Sequence, residues 1–286
     1  MRFLLTWISL LLTGLTLQAQ ANPRAFALYD TRGREVPFTT MARELREADV
    51  ILFGEYHNNP ISHWMQLEVI KALNGSYDLG MEMFETDEQD ALSQFMADSL
   101  TVEELDNYTG GVWPNFHTDY LPILLRARQD SVDVVATNIP RQYAQMVFQR
   151  GFIYLKTLDE SELRQLPPIP PPYNKELSSY KAMRMPNPEN PHVGENFPKA
   201  QAIKDATMAW QIVNHARPGR PFLHLNGSYH SDNYEGIAWY LRQYKPQLRV
   251  VTISTLEQRD MRNLREESEG TADYILLVPE NMTKTY

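Results

Sequence analysis

The chain contains no cysteine at all. Thiol catalysis, thiolate metal sites and disulfides are therefore excluded, and so is a lipid-anchoring cysteine. No Gly-rich phosphate loop, G-x-S-x-G elbow or H-E-x-x-H motif occurs either, so the common signatures of nucleotide binding, serine hydrolysis and zinc proteolysis are missing. Basic clusters are also scarce. The net charge is −9 over 286 residues, which argues against a nucleic-acid surface. Beyond the first residues, no run is long and apolar enough to span a bilayer.

Those first residues read as a secretory signal peptide. Arg2 supplies the positive start, Phe3–Leu17 is mostly apolar, and Ala19-Gln20-Ala21 is an A-x-A cleavage site. Residues 1–21 are expected to be removed. An exported chain without cysteine suits a bacterial periplasm better than a disulfide-rich secreted setting. Residues 22–286 are expected to form a single domain, which is long enough to bury a sizeable core.

The stretch Val50–Pro60, VILFGEYHNNP, organises the reading. An apolar run, Val50-Ile51-Leu52-Phe53, predicts a buried strand, and Glu55, Tyr56 and His57 fall at its end. Pro60–Leu73 then reads as a helix. The pattern recurs at Pro221–His230, PFLHLNGSYH. Both strands end in Gly-x-Tyr-His. One such tetrapeptide is weak, whereas two in matching contexts predict that two strands deliver His57 and His230 to one rim of a sheet. Open α/β sheets place their chemistry at such strand ends.

Further strands are expected at Tyr77–Phe84, Ser131–Ile139, Arg249–Ser254 and Tyr274–Val278, and a hairpin at Ala25–Phe38. Helices alternate with them. The fold class is α/β, a mainly parallel sheet of about five or six core strands flanked by helices. Residues 151–198 break the rhythm with dense proline. They read as an inserted helical cap, or equally as a meandering surface loop.

Glu55, His57, Glu82, Glu85 and His230 are the candidate site. Glu82 lies within an apolar strand, where a lone carboxylate is costly. Imidazoles with carboxylates suit a divalent metal, with Glu55, His57, Glu85 and His230 as ligands. Without metal, Glu55, His57, Glu82 and His230 suit general acid–base catalysis. The bland reading is loop hydrogen bonding and ion pairing, in which case the chain is a scaffold with a degenerate site. His224 reads as sheet packing, and His63, His117, His192 and His215 stay unassigned. Tyr173, Tyr180, Met183 and Met185 in the insert are of types that can ligate haem iron.

The segments ILFGEYHNNPISHWMQLEVIKAL, LGMEMFE, AQAIKDATMAW and LNGSYH, in this order, resemble the ChaN-like family. These are exported, iron-regulated bacterial haem-binding proteins, in a superfamily with Tiki proteases, TraB proteins and erythromycin esterases. The resemblance implies an α/β fold with helical insertions and a polar site at Glu55, His57, Glu82 and His230. It also implies haem held by a tyrosine of a helical region, enclosed by a homodimer, and metal-dependent hydrolysis in the Tiki branch. No motif identifies the tyrosine. Tyr180 is the choice on position, with Tyr173 beside it. The leading expectation is an exported haem-binding protein of haem and iron uptake, with an outer-membrane haem receptor as possible partner. The alternative is a metal-dependent hydrolase, a Tiki-like peptidase or an esterase, at the Glu/His site.

Overall fold

The computed structural model describes residues 23–111, 113–184 and 193–286. The expected signal peptide, His192 and Met185 lie outside the described residues. In chain order the elements are β1 (Ala27–Asp30), α1 (Phe38–Leu45), β2 (Val50–Glu55), α2 (Pro60–Leu73) and β3 (Asp78–Glu85). Then come α3 (Gln89–Met96), α4 (Val102–Thr109), α5 (Leu121–Gln129), β4 (Val134–Asn138) and α6 (Arg141–Arg150). The rest are α7 (Glu160–Leu163), α8 (Ser178–Met183), α9 (Val193–His215), β5 (Phe222–Gly227), α10 (Gly236–Tyr244), β6 (Val250–Gln258) and β7 (Tyr274–Pro279).

The seven strands form one sheet in the order β1-β7-β6-β2-β5-β3-β4. All neighbours are parallel except the edge pair β1–β7. This is the expected mainly parallel α/β fold. The expected hairpin is present but shorter than Ala25–Phe38. Its second arm folds back on the free edge of β1 for a few residues only: Val36 N–H donates to the Leu28 carbonyl and Asp30 N–H to the Arg34 carbonyl around the Tyr29–Glu35 bridge, before Pro37 leads into α1.

Strand residues alternate between the faces, as the pleat requires. Ile51 and Phe53 of β2 join a core with Met65, Val69, Ile123 and Leu124 of α2 and α5. Val50 and Leu52 point the other way, against Ala206, Met208, Ile237 and Leu241 of α9 and α10. Both faces are thus covered, which explains why the strand reads as an unbroken apolar run. Truncating Phe53, which is fully buried, to alanine should cost about 3–5 kcal/mol.

Local signals set the helix ends. Asn59 accepts from the N–H groups of Ile61 and Ser62 to cap α2, and Pro60 starts it. Asn74, left-handed, ends it. Thr101 and Glu104 form the capping box of α4. The Pro-rich segment packs on α6 and α9 through its own apolar cluster, including Tyr143, Val147, Leu155, Leu166, Tyr180 and Ile203. Among the described residues no helix is long and apolar enough to cross a membrane.

Candidate functional site

β2 and β5 are direct neighbours, and Glu55 stands opposite Gly227 in the register. The two Gly-x-Tyr-His motifs therefore leave the sheet side by side. β3 lies next to β5 on its other side and supplies Glu82. Three adjacent strand ends thus bring Glu55, His57, Glu82 and His230 to one rim.

Glu55 is fully buried beneath His57. Its Oε1 lies 2.9 Å from His57 Nδ1, so that nitrogen carries the donated proton. The Tyr120 hydroxyl donates to the same oxygen at 2.5 Å. Its Oε2 meets His63 Nδ1 at 3.3 Å and accepts from Gln66 Nε2. Burial opposes ionisation of Glu55, but the positive charge on His63 and His57 and their hydrogen bonds outweigh it, lowering its pKa to about 2. The loop is fastened from below as well. His57 carbonyl accepts from Asn115 Nδ2 at 2.7 Å, and His63 Nε2 lies 3.2 Å from it.

His57 Nε2 has no hydrogen-bond partner among the described residues and lines a cavity. Trp113 packs on the imidazole, with ring centroids 4.5 Å apart. Gly227 makes room for it. A Cβ at that position would sit 2.9 Å from His57 Nε2. Burial disfavours the charged imidazole, but Glu55 and Glu82 outweigh it and raise the pKa of His57.

The second half of the site explains the carboxylate inside β3. Glu82 Oε2 accepts the Gly227 N–H at 2.7 Å, and Oε1 meets His230 Nε2 at 3.1 Å. His230 Nδ1 lies 2.5 Å from Asp205 Oδ1, and Tyr180 donates to Asp205 Oδ2 at 2.6 Å. Burial works against the charge on His230, but Glu82 and Asp205 raise its pKa to about 10. His230 is therefore a buried imidazolium held between two carboxylates. Glu82 is held well below the usual carboxylate range: burial resists ionisation, but His230 and His57 prevail.

Other expected residues take different roles. Glu85 lines the cavity but is engaged locally. Its carboxylate accepts the Arg141 N–H at 2.8 Å, and its own N–H donates to Glu88. Tyr180 is fully buried with its hydroxyl spent on Asp205. In this arrangement the Tyr180 hydroxyl faces Asp205 and not a cavity, unlike its expected place as the iron ligand. Tyr173 is half-buried and stacked on Tyr180 at 5.8 Å, and it is not among the residues that line the cavity. The expected metal set is corrected too. Among the described residues no group of three or more His, Asp or Glu side chains could hold a metal ion. The reason is geometric: Glu55 points into its buried network while Glu85 closes a helix turn. His224 is sheet packing, as read, lying 2.8 Å from Thr137 Oγ1 and 3.0 Å from Asn226 Oδ1.

Sequence reasoning missed His63, Gln66, Tyr120 and Asp205 as members of the site. His63 and Gln66 lie on α2, one turn apart, on the face that returns to β2. Asp205 lies within the KDATMA segment of α9, an acidic residue in a buried stretch, and that was an available signal.

The cavity beside His57 has a volume of about 600 Å³, within the range of small-molecule sites. Met83, Phe84, Trp113, Phe116 and Ile139 give it apolar walls. A second cavity, of about 760 Å³, shares His57 and His230 and is lined by Tyr56, Tyr229, Asp232 and Lys284.

An α/β sheet with paired imidazole–carboxylate units at its rim, beside a cavity walled by aromatic and charged residues, has the form of a ligand-binding protein. The chain belongs to the haem-binding uptake family of the Tiki superfamily, ChaN, whose sequence profile matches residues 41–241. In fold it is similar to ChaN of Campylobacter jejuni, which binds haem cofacially. The TM-score is 0.67 at 21% identity, covering 88% of this chain and 96% of that one. It is also similar to a Bacillus cereus protein, with a TM-score of 0.50 at 13% identity, covering 84% of this chain and 90% of that one. No curated protein sequence matches the chain.

The residues present fit a haem. The cavity has the size and the aromatic walls for a flat apolar ring, and an imidazole held by a carboxylate is a donor type suited to iron.

Proposed function

We propose that this chain binds haem in the cavity beside His57 and serves haem and iron uptake as an exported, periplasmic protein. The carrying observation is the imidazole of His57. It is fixed on Glu55 at 2.9 Å, packed on Trp113 and open at Nε2 to a cavity with aromatic walls, in a member of a haem-binding family. Glu55 orients the ring and makes Nε2 more basic, as a carboxylate behind a ligating histidine does. Haem here is cargo, with Trp113 and Phe116 against its ring and His57 as the donor the cavity offers its iron. A homodimer enclosing the haem and transfer to or from an outer-membrane haem receptor complete the proposal.

The test is a haem titration of the purified chain followed in the visible, with metal analysis of the same sample. A shifted Soret band at fixed stoichiometry supports the proposal, and an unshifted spectrum at saturating haem overturns it.

A hydrolase is the second reading, favoured by the same Glu55–His57 pair, which suits general-base chemistry. It expects turnover of an ester or peptide that is lost in His57→Ala, independent of haem.

A further inference from the structure

A haem has an apolar ring and an edge that bears propionate carboxylates. The cavity has a matching asymmetry. Beside its aromatic walls it is lined by charged groups: Glu82, Glu85, Glu88, Arg141, Lys204 and His230. Most of these are satisfied within the protein. His230 is held by Glu82 and Asp205. Arg141, nine-tenths exposed at its side chain, lies 3.7 Å from Glu85. Glu88 accepts the Glu85 N–H at 2.7 Å.

Lys204 differs. It is half-buried on the cavity wall, and among the described residues it has no carboxylate within ion-pair distance. Its place on α9 is fixed by its neighbour. Asp205, one residue on, accepts from His230 Nδ1 at 2.5 Å. Residues 204 and 205 are adjacent on α9, so the contact to His230 holds this turn of the helix, with Lys204, on the same cavity. A partly desolvated ammonium without a counter-ion favours an incoming anion.

We propose that Lys204 binds a carboxylate of the ligand, a haem propionate, and so selects acidic tetrapyrroles over neutral ones. This rests on the haem reading above. Arg141 stands too far out in solvent to contribute much, since exposed ion pairs are weak.

The experiment is a set of visible-absorption titrations of the full chain with haem and with haem dimethyl ester, for the wild type, Lys204→Gln and Lys204→Arg. The wild type should prefer the free acid by about tenfold, the scale of one charge-assisted hydrogen bond. Lys204→Gln should lose that preference, and Lys204→Arg should restore it. Wild type that binds neither compound overturns the haem reading itself. Wild type that binds haem, with the full acid preference kept in Lys204→Gln, overturns the role of Lys204 alone. If Lys204→Gln does not fold by circular dichroism, the wild-type acid-to-ester ratio decides, and a ratio near unity overturns the inference.

Discussion

His230 Nε2 lies 3.1 Å from Glu82 Oε1 and ties the end of β5 to the middle of β3. Both side chains are buried, and Asp205 holds the opposite ring nitrogen. Removing the imidazole leaves two carboxylates buried without their cation. His230→Ala should therefore lower stability by about 3–5 kcal/mol. Urea denaturation measures this, and an unchanged midpoint with an unchanged slope would show that the pair is not a structural tie.

The same pairing predicts a stability profile in pH. The pKa of His230 is raised from 6.5 to about 10 in the folded chain. Its contribution is complete below about 6.5 and is lost as pH rises from there to about 10. The pKa of Glu55 is lowered from 4.5 to about 2. Its contribution is complete above about 4.5 and is lost as pH falls to about 2. Melting temperatures across this range in the wild type and His230→Gln should converge at the alkaline end. Parallel curves throughout would contradict it.

Gly227→Ala tests the room left for His57. The new Cβ would lie 2.9 Å from His57 Nε2 and 3.7 Å from Glu82 Oε2. The backbone itself tolerates alanine, since Gly227 has φ −58°. His57 must therefore shift, and the expected result is haem binding weakened at least about tenfold in a chain that still folds. Titration and circular dichroism on one sample decide between this and a general loss of structure.

His57→Ala and Tyr180→Phe separate the two candidate iron donors. His57→Ala should remove or markedly change the Soret shift. Tyr180→Phe should keep it, while costing about 1–3 kcal/mol because the Asp205 carboxylate loses a buried donor. The reverse pattern would return the ligand to the helical insert.

Iron and proton compete for His57 Nε2. Because Glu55 and Glu82 raise the pKa of His57 against the effect of burial, haem affinity should fall as the solution is acidified. Affinity that is flat in the wild type between neutral and mildly acid pH would count against ligation by His57.

Much of this was legible in the chain. The run Val50–Phe53 is apolar on both faces because helices cover both sides of a parallel sheet. The cap at Asn59, the proline after it and the box at Thr101 mark helix starts by satisfying free N–H groups locally. The repeated Gly-x-Tyr-His foretold a shared rim, because strands of the same kind end at the same edge of a parallel sheet.

The tertiary structure decided the partnerships. That β2 and β5 are neighbours, with Glu55 opposite Gly227, follows from packing across the whole sheet and from no local signal. Glu82 and His230 are 148 positions apart in the chain, and Asp205 reaches them from a helix on the sheet's face. Whether a polar side chain ligates, pairs or packs depends on which groups surround it once water is excluded. Residue type therefore named Tyr180 and Glu85 as candidates, whereas only the fold could show that Tyr180 is turned inward to Asp205 and that Glu85 closes a helix turn.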